Sequence, residues 1–107
     1  MKLGRISKEK EFKEILKKGK RFEDGFFIVR VRENGLEEVR LGFVLPKKLG
    51  KATRRNKLKR RIREIIRLKD IKGWDIIVIA KREAMELDFS GIKTSIEGIL
   101  RRAGVCS

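Results

Sequence analysis

The sequence predicts an α+β fold, a single-domain α/β sandwich with the element order α-β-β-α-β-α and a mixed sheet. Three observations predict it. Residues 26–33 alternate between apolar and polar side chains from Phe27 onward, as a half-buried strand does. Residues 76–80 are apolar without interruption, which is typical of an inner strand covered on both faces. Residues 54–69 carry an apolar stripe at helical spacing.

The first helix is predicted over residues 8–18, with Ser7 as its N-cap and Gly19 as its end. Its short apolar stripe consists of Phe12, Ile15 and Leu16. After it, Asn34-Gly35 predicts a turn, and residues 39–47 are predicted to return from it as the next strand.

The first strand, residues 26–33, has two different faces. Its apolar face consists of Phe27, Val29 and Val31, and its other face consists of Phe26, Ile28, Arg30 and Arg32. A sheet face that mixes aromatic and cationic groups can stack bases and hold their phosphates. Packing of Phe26 and Ile28 beneath a helix is the alternative interpretation.

The second half of the chain predicts a long helix, a strand and a last helix. The long helix covers residues 54–69 with Thr53 as its cap, and its buried stripe is Leu58, Ile62, Ile65 and Ile66. Gly73 precedes a strand over residues 74–81. Asp88 is the predicted cap of the last helix, whose apolar positions are Ile92, Ile96, Ile99 and Leu100.

Composition limits the function classes. The chain of 107 residues has room for one domain, residues 1–107, and its net charge is +15. So large a charge destabilises the folded state by self-repulsion, which indicates a polyanionic partner. A membrane surface is a rival to nucleic acid, but no apolar run approaches the ~20 residues of a membrane span, and the start lacks a signal peptide's apolar segment.

Residue types that perform protein-based chemistry are scarce. Histidine, the usual general base, is absent, and the fifteen acidic residues form no cluster along the chain. Cys106 is the only cysteine, so no internal disulfide is possible, and a reducing cytoplasm is the expected location. We therefore predict no catalytic residue and no metal ligand in the chain. A self-sufficient nuclease that uses carboxylates and Mg²⁺ is the alternative.

The long helix belongs to a strongly basic segment. Residues 39–63 contain eleven basic residues and no acidic one. On a helical wheel the side chains that share one flank are Asn56, Lys59, Arg60, Arg63 and Arg67. Arginine offers a planar fork to phosphate, and an amide can contact a 2′-hydroxyl, so this flank predicts RNA binding. A merely solvated face would normally carry more acids than Glu64 alone.

Residues 52–64 resemble a signature of the bacterial ribonuclease P protein subunit. The signature is A-x-x-R-N-x-x-K-R-x-x-R, and every fixed position is matched. The resemblance extends to Glu11-Phe12, Lys18-Gly19, Leu41-Gly42, residues 47–51, residues 74–80 and the last helix. It implies an α/β sandwich in which the basic helix connects parallel strands by a left-handed crossover.

The resemblance also implies a function. In that family the catalyst is an RNA subunit, which with Mg²⁺ removes the 5′ leader of precursor tRNA. The protein docks on the RNA through the basic helix and binds the leader in a cleft beside the sheet. The expected partners are this RNA and precursor tRNA, without a membrane or an obligate protein partner. The expected Mg²⁺ is bound mainly by the RNA and substrate, and the protein alone is inactive.

We therefore predict two sets of binding residues. The predicted contacts to the RNA subunit are Arg54, Arg55, Asn56, Lys59, Arg60, Arg63 and Arg67. The predicted contacts to the leader or tRNA are Phe12, Leu16, Phe26, Ile28, Arg30, Lys47 and Lys51. Leu16 and Arg30 stand where the family often has aromatic residues, and Pro46 where it has basic or small polar ones, so this cleft is expected to rely more on charge.

Two other binding classes are weighed against this interpretation. Composition alone is compatible with a ribosomal or other structural RNA-binding protein, which the extended signature disfavours. A basic helix can also enter the major groove of DNA, but nothing in the sequence indicates a dimer or a half-site spacing.

Overall fold

The computed structural model describes residues 3–106; Met1, Lys2 and Ser107 of the predicted 1–107 domain lie outside the described residues. It confirms the α+β class. The elements are β1 (Leu3–Arg5), α1 (Glu9–Lys18), β2 (Lys20–Glu23), β3 (Phe27–Glu33), β4 (Val39–Val44), α2 (Ala52–Arg67), β5 (Trp74–Ala80) and α3 (Phe89–Arg102), with short 3-10 helices at Lys47–Leu49 and Arg82–Glu86. No helix among residues 3–106 is long and apolar enough to cross a membrane.

The five strands form one sheet in the order β1-β4-β5-β3-β2. The predicted inner position of β5 is confirmed, since it pairs in parallel with β4 and antiparallel with β3. The expectation that β4 returns beside β3 is wrong, because β5 lies between them. β5 is apolar on both faces, and the centre of the sheet is the position that covers both.

Two edge strands, β1 and β2, were not predicted. β1 has three residues and pairs in parallel with β4, while β2 has four residues and pairs antiparallel with β3. Such short segments contain too few residues to show a period. They are extended because the neighbouring strand offers them a row of backbone hydrogen-bonding groups.

The predicted helix ends have mixed outcomes. Asp88 caps α3 as expected, its Oδ1 accepting a hydrogen bond of 2.8 Å from the Gly91 N–H, and Gly19 ends α1. The caps predicted at Ser7 and Thr53 are wrong. α1 begins one residue later than a Ser7 cap requires, Thr53 already lies inside α2, and neither helix has a side-chain cap.

The two faces of the sheet are covered unequally. α2 and α3 cover one face, and their predicted apolar stripes are buried against β3, β4 and β5 in the main core. α1 alone packs on the other face, where a smaller cluster contains Ile15 and Ile77. Gly42 permits this close packing, because a Cβ atom there would lie 2.6 Å from the Phe12 ring.

A buried carboxylate anchors α1 to this second face. Both oxygens of Asp75 accept hydrogen bonds of 2.8 Å from Arg40, and Asn34 Nδ2 donates to Oδ1 at 2.9 Å. Arg32 donates to Glu14 of α1 at 2.9 Å and to Asp75 at 3.4 Å. A further member, Glu11 of α1, accepts from Arg40 at 3.4 Å. We call these six residues the Asp75 network.

The Asp75 network holds its charges in fixed states. Burial raises the pKa of the Asp75 carboxyl, but the hydrogen bonds from Arg40 and Asn34 outweigh burial, so its net pKa lies below the ordinary value. The hydrogen bond to Asp75 likewise raises the pKa of Arg40. Both groups are therefore ionised at neutral pH, and their charges offset each other.

Candidate nucleic-acid interface

One flank of α2 presents cations that no acid neutralises. We call Asn56, Lys59, Arg60 and Arg63 the basic flank. Its three cations have no carboxylate within 4.0 Å in the part of the chain that the structure describes. Asn56, Arg60 and Arg63 are exposed and Lys59 is half-buried. These groups are available to a polyanion without first breaking an ion pair.

An aromatic ring near the end of β4 positions part of this flank. The Lys59 Nζ atom lies 5.7 Å from the centroid of the Phe43 ring, and the Arg63 guanidinium carbon lies 5.6 Å from it. Cation–π attraction of this kind orders a side chain while leaving its charge intact. Phe43 and Leu45 also line a shallow groove of about 180 Å³ beside Asn56. The sequence analysis did not assign Phe43 a role. The only indication of its position was that it lies two residues after Leu41, on the face of β4 that is buried.

The other three predicted RNA contacts of α2 have different surroundings. Arg55 is half-buried and donates to the carbonyls of Gly50 at 3.1 Å and Leu45 at 3.4 Å, so it holds the β4–α2 connection. Arg54 points to the opposite flank, where it donates to the Met85 carbonyl. Arg67 donates to Glu64 in its own helix, which raises the pKa of Arg67 and offsets its charge.

A half-buried apolar surface, which we call the cleft because the leader cleft is predicted there, lies on the second face of the sheet beside α1. Its half-buried side chains pack against the small cluster that contains Ile15 and Ile77; they are Phe12 and Leu16 of α1, Val44 of β4 and Ile79 of β5. Ile28 stands opposite Ile79 in the register of β3 and β5. The predicted set missed Val44 and Ile79, although the alternation along β4 and β5 places them on this face once the register is known.

Arg30 adds a cation beside this cleft. It stands opposite Ile77 in the register, and its Nη1 donates to the Gly19 carbonyl at 3.0 Å. That hydrogen bond directs the guanidinium toward the C-terminal end of α1. Arg30 has no carboxylate within 4.0 Å among residues 3–106, so its charge is available at this end of the cleft.

The predicted position of Phe26 on the cleft face is wrong. This residue precedes β3 and packs against the main core on the side of α3, where it lines a groove with Leu87 and Ile99. Asp24 accepts hydrogen bonds from the backbone N–H groups of Phe26 and Phe27. This turn takes Phe26 out of the alternation of the strand, so counting every second residue along the strand does not predict the face on which Phe26 lies.

Lys47 and Lys51 lie on the connection between β4 and α2. Lys47 begins the short 3-10 helix, Lys51 immediately precedes α2, and both are exposed. Gly50 between them has a φ of +134°, a conformation that side-chain-bearing residues rarely adopt. The connection therefore holds two cations beyond the end of β4, between the cleft strand and the basic helix.

The basic flank and the cleft both offer groups that can bind a ligand. No group of three or more Cys, Asp or Glu side chains among residues 3–106 is arranged to hold a metal ion. The basic flank supplies fixed cations, whereas the cleft supplies an apolar floor with Arg30 at one side. A phosphodiester chain with unpaired bases suits this combination of contacts.

This chain is similar in sequence and in structure to known proteins. The family model described as Ribonuclease P matches residues 1–104. The ribonuclease P protein component of Thermotoga maritima is 42% identical over 105 residues, covering 92% of this chain and 90% of the relative. That of Clostridium botulinum is 36% identical over 109 residues, covering 98% of each. The solved Staphylococcus aureus RNase P protein is similar with a TM-score of 0.89 and 38% identity, covering 99% of this chain and all of that one.

Proposed function

This chain belongs to the ribonuclease P protein family, the protein components of a tRNA-processing ribonuclease, and we propose that it binds the catalytic RNA and the 5′ leader of precursor tRNA. The observation that carries the proposal is the basic flank of α2. Its cations have no acidic partner in the described structure, and they lie on the face of a rigid helix. Neutralisation of RNA phosphates by such cations releases counterions and drives binding.

The catalytic RNA docks on the basic flank. Arg60 and Arg63 contact phosphates, and the Asn56 amide contacts a 2′-hydroxyl or a base edge, since an amide both donates and accepts. Because the cation–π contacts with Phe43 already order Lys59 and Arg63, these side chains lose less conformational entropy when RNA binds. Arg55 supports this surface indirectly, because its hydrogen bonds to Leu45 and Gly50 hold the start of the helix.

The cleft binds the single-stranded leader. Unpaired nucleotides lie along the open half of the second sheet face, with bases against Phe12, Ile28 and Ile79 and phosphates near Arg30. Lys47 and Lys51 extend the cationic path beyond the end of β4. The leader and the catalytic RNA thus contact different faces of the sheet, so one protein can hold both at once.

The chemistry resides in the RNA subunit. Mg²⁺ bound mainly by the RNA and the substrate supplies the charge stabilisation for hydrolysis of the phosphodiester. The protein chain positions the leader and lowers phosphate repulsion between catalytic RNA and substrate. A lower Mg²⁺ requirement is therefore expected when the protein is present.

Single-turnover cleavage of precursor tRNA across a Mg²⁺ titration tests the proposal. We expect no cleavage by the protein alone, cleavage by a bacterial ribonuclease P RNA at high Mg²⁺, and cleavage at lower Mg²⁺ with both. Cleavage by rigorously RNA-free protein would overturn the assignment of catalysis to RNA. An identical Mg²⁺ requirement with and without protein would remove the electrostatic role.

A further inference from the structure

A second groove lies on the side of α2 that faces away from the basic flank. It has a volume of about 250 Å³ and separates α2 from the 3-10 helix Arg82–Glu86 and the start of α3. Its wall on α2 is formed by Arg54, Lys57 and Arg61, and its floor includes Leu58, Met85 and Leu87. We call it the Met85 groove.

The wall of the Met85 groove is cationic and unneutralised. Positions 54, 57 and 61 are spaced by three and four residues, so their side chains emerge on one face of the helix. None of the three cations has a carboxylate within 4.0 Å in the described structure. The Arg54 Nη2 atom donates to the Met85 carbonyl at 3.3 Å, which holds this guanidinium across the groove.

The floor of the Met85 groove is apolar. Leu58 is buried, and Met85 and Leu87 are half-buried, so each of the latter still offers surface to a ligand. A methionine thioether is polarisable and makes favourable contacts with aromatic rings. The acids of the neighbouring 3-10 helix, Glu83 and Glu86, do not line the groove. An apolar floor under a cationic wall suits a planar base joined to a phosphate.

We propose that the Met85 groove binds one unpaired nucleotide of an RNA strand, with its base on Met85 and Leu87 and its phosphate against Lys57 and Arg61. The groove is smaller than a pocket for a drug-sized ligand, and one nucleotide matches this scale. RNA then holds α2 from both sides, through phosphates on the basic flank and through an inserted nucleotide on the other. Only the identity of that RNA as the catalytic subunit rests on the proposed function.

Methionine labelling gives a direct readout of the groove. The chain has two methionines, Met1 and Met85, so a ¹³C-methyl label yields two signals, which a Met85→Leu variant assigns. The probe is single-stranded pentaadenylate, compared with inorganic phosphate at equal phosphate concentration. We expect the Met85 methyl signal to shift with pentaadenylate and to remain in place with phosphate.

Paired substitutions test the cationic wall. Lys57→Gln with Arg61→Gln should abolish the Met85 shift and lower the slope of log affinity against log salt by ~0.7 for each lost phosphate contact. The control is Lys93→Gln with Arg101→Gln, which removes the same charge from exposed positions of α3 and should preserve the shift. Circular dichroism verifies folding, and the two single variants replace the double one if it does not fold.

Three outcomes would overturn the proposal. These are no Met85 shift with pentaadenylate, an equal shift with phosphate, and a shift that survives both wall substitutions. Failure here is distinguishable from failure of the proposed function, because the Mg²⁺ titration with the catalytic RNA uses the unaltered protein and does not depend on this groove.

Discussion

Arg40 and Arg63 lie on opposite sides of the sheet and differ in what surrounds their guanidinium groups. Arg40 is mostly buried and makes two hydrogen bonds of 2.8 Å to Asp75, so its charge is offset within the protein. Arg63 is exposed, rests on the Phe43 ring and has no acidic partner in the described structure. The same side chain therefore stabilises the fold in one region and is available to a ligand in the other.

The difference originates in strand register. Asp75 is the Cα partner of Arg40 on β4 and of Arg32 on β3, so one buried carboxylate meets two arginines across neighbouring strands. α2 has no comparable partner, because its outer flank faces solvent and its only acid is Glu64. An arginine's role thus depends on which residues the sheet brings opposite it.

Loss of the Asp75 carboxylate should give the largest effect. Asp75→Asn leaves Arg40 largely buried with only the longer contacts to Glu11 as counter-charge, and we expect a loss of about 3 kcal/mol in the free energy of unfolding. Urea unfolding followed by fluorescence of Trp74, the only tryptophan, measures it. Asp70→Asn, at an exposed acid, is the matched control and should change stability little. Equal effects of the two substitutions would contradict a structural role for the Asp75 network.

The same carboxylate predicts a pH dependence. Because the folded-state pKa of Asp75 lies below its unfolded value of about 3.9, its stabilisation is present above that value. It is lost as the pH falls through the folded pKa. We expect the free energy of unfolding of the native sequence to drop below about pH 4 more steeply than that of Asp75→Asn. Parallel pH profiles would contradict this assignment.

Removal of charge from the basic flank should act on RNA binding and spare stability. Arg60→Ala with Arg63→Ala is expected to lower the log–log salt slope for the catalytic RNA by roughly 0.7–0.9 per lost phosphate contact. Filter binding at several salt concentrations measures it. Lys93→Ala with Arg101→Ala removes equal charge from α3 as the control. An unchanged slope with intact folding would identify the flank as solvated surface.

Substitutions in the cleft test whether the second sheet face binds the leader in addition to stabilising the fold. Phe12→Leu keeps an apolar side chain over Gly42 but removes the aromatic ring, and stacking contributes about 1–3 kcal/mol per base. We expect weaker affinity of the reconstituted ribonucleoprotein for precursor tRNA with a leader of several nucleotides, and unchanged affinity for mature tRNA. Arg30→Ala should act in the same direction. Equal losses for both ligands would assign these residues to folding or docking.

The smallest effect is expected at Arg67, which lies on α2 near the basic flank but is paired with an acid, as Arg40 is. Glu64 pairs with Arg67 on the surface of α2, so Glu64→Gln frees a cation next to the basic flank. An exposed ion pair contributes little to stability, so the free energy of unfolding should barely change. Affinity for the catalytic RNA should rise, as measured in the same filter-binding assay. A decrease in affinity would mean that Glu64 itself contacts the RNA or orients Arg67 toward it.

The sequence by itself determined the features that depend on local periodicity. The apolar stripes of α2 and α3, the Asp88 cap and the inner character of β5 follow from side chains a few residues apart, and the structure confirms them. The signature over residues 52–64 identified the family because it is contiguous along one helix. Such patterns can be recognised in the sequence because side chains return to the same face every 3.6 residues in a helix and every two residues in a strand.

The tertiary structure decided everything that depends on partners distant in the chain. It inserted β5 between β3 and β4, added two edge strands and took Phe26 out of the cleft face. It also separated the arginines into neutralised and available sets, since Arg40 meets Asp75 across 35 residues of sequence. The physical reason is that burial and ion pairing depend on register and packing, and both arise only when the sheet assembles.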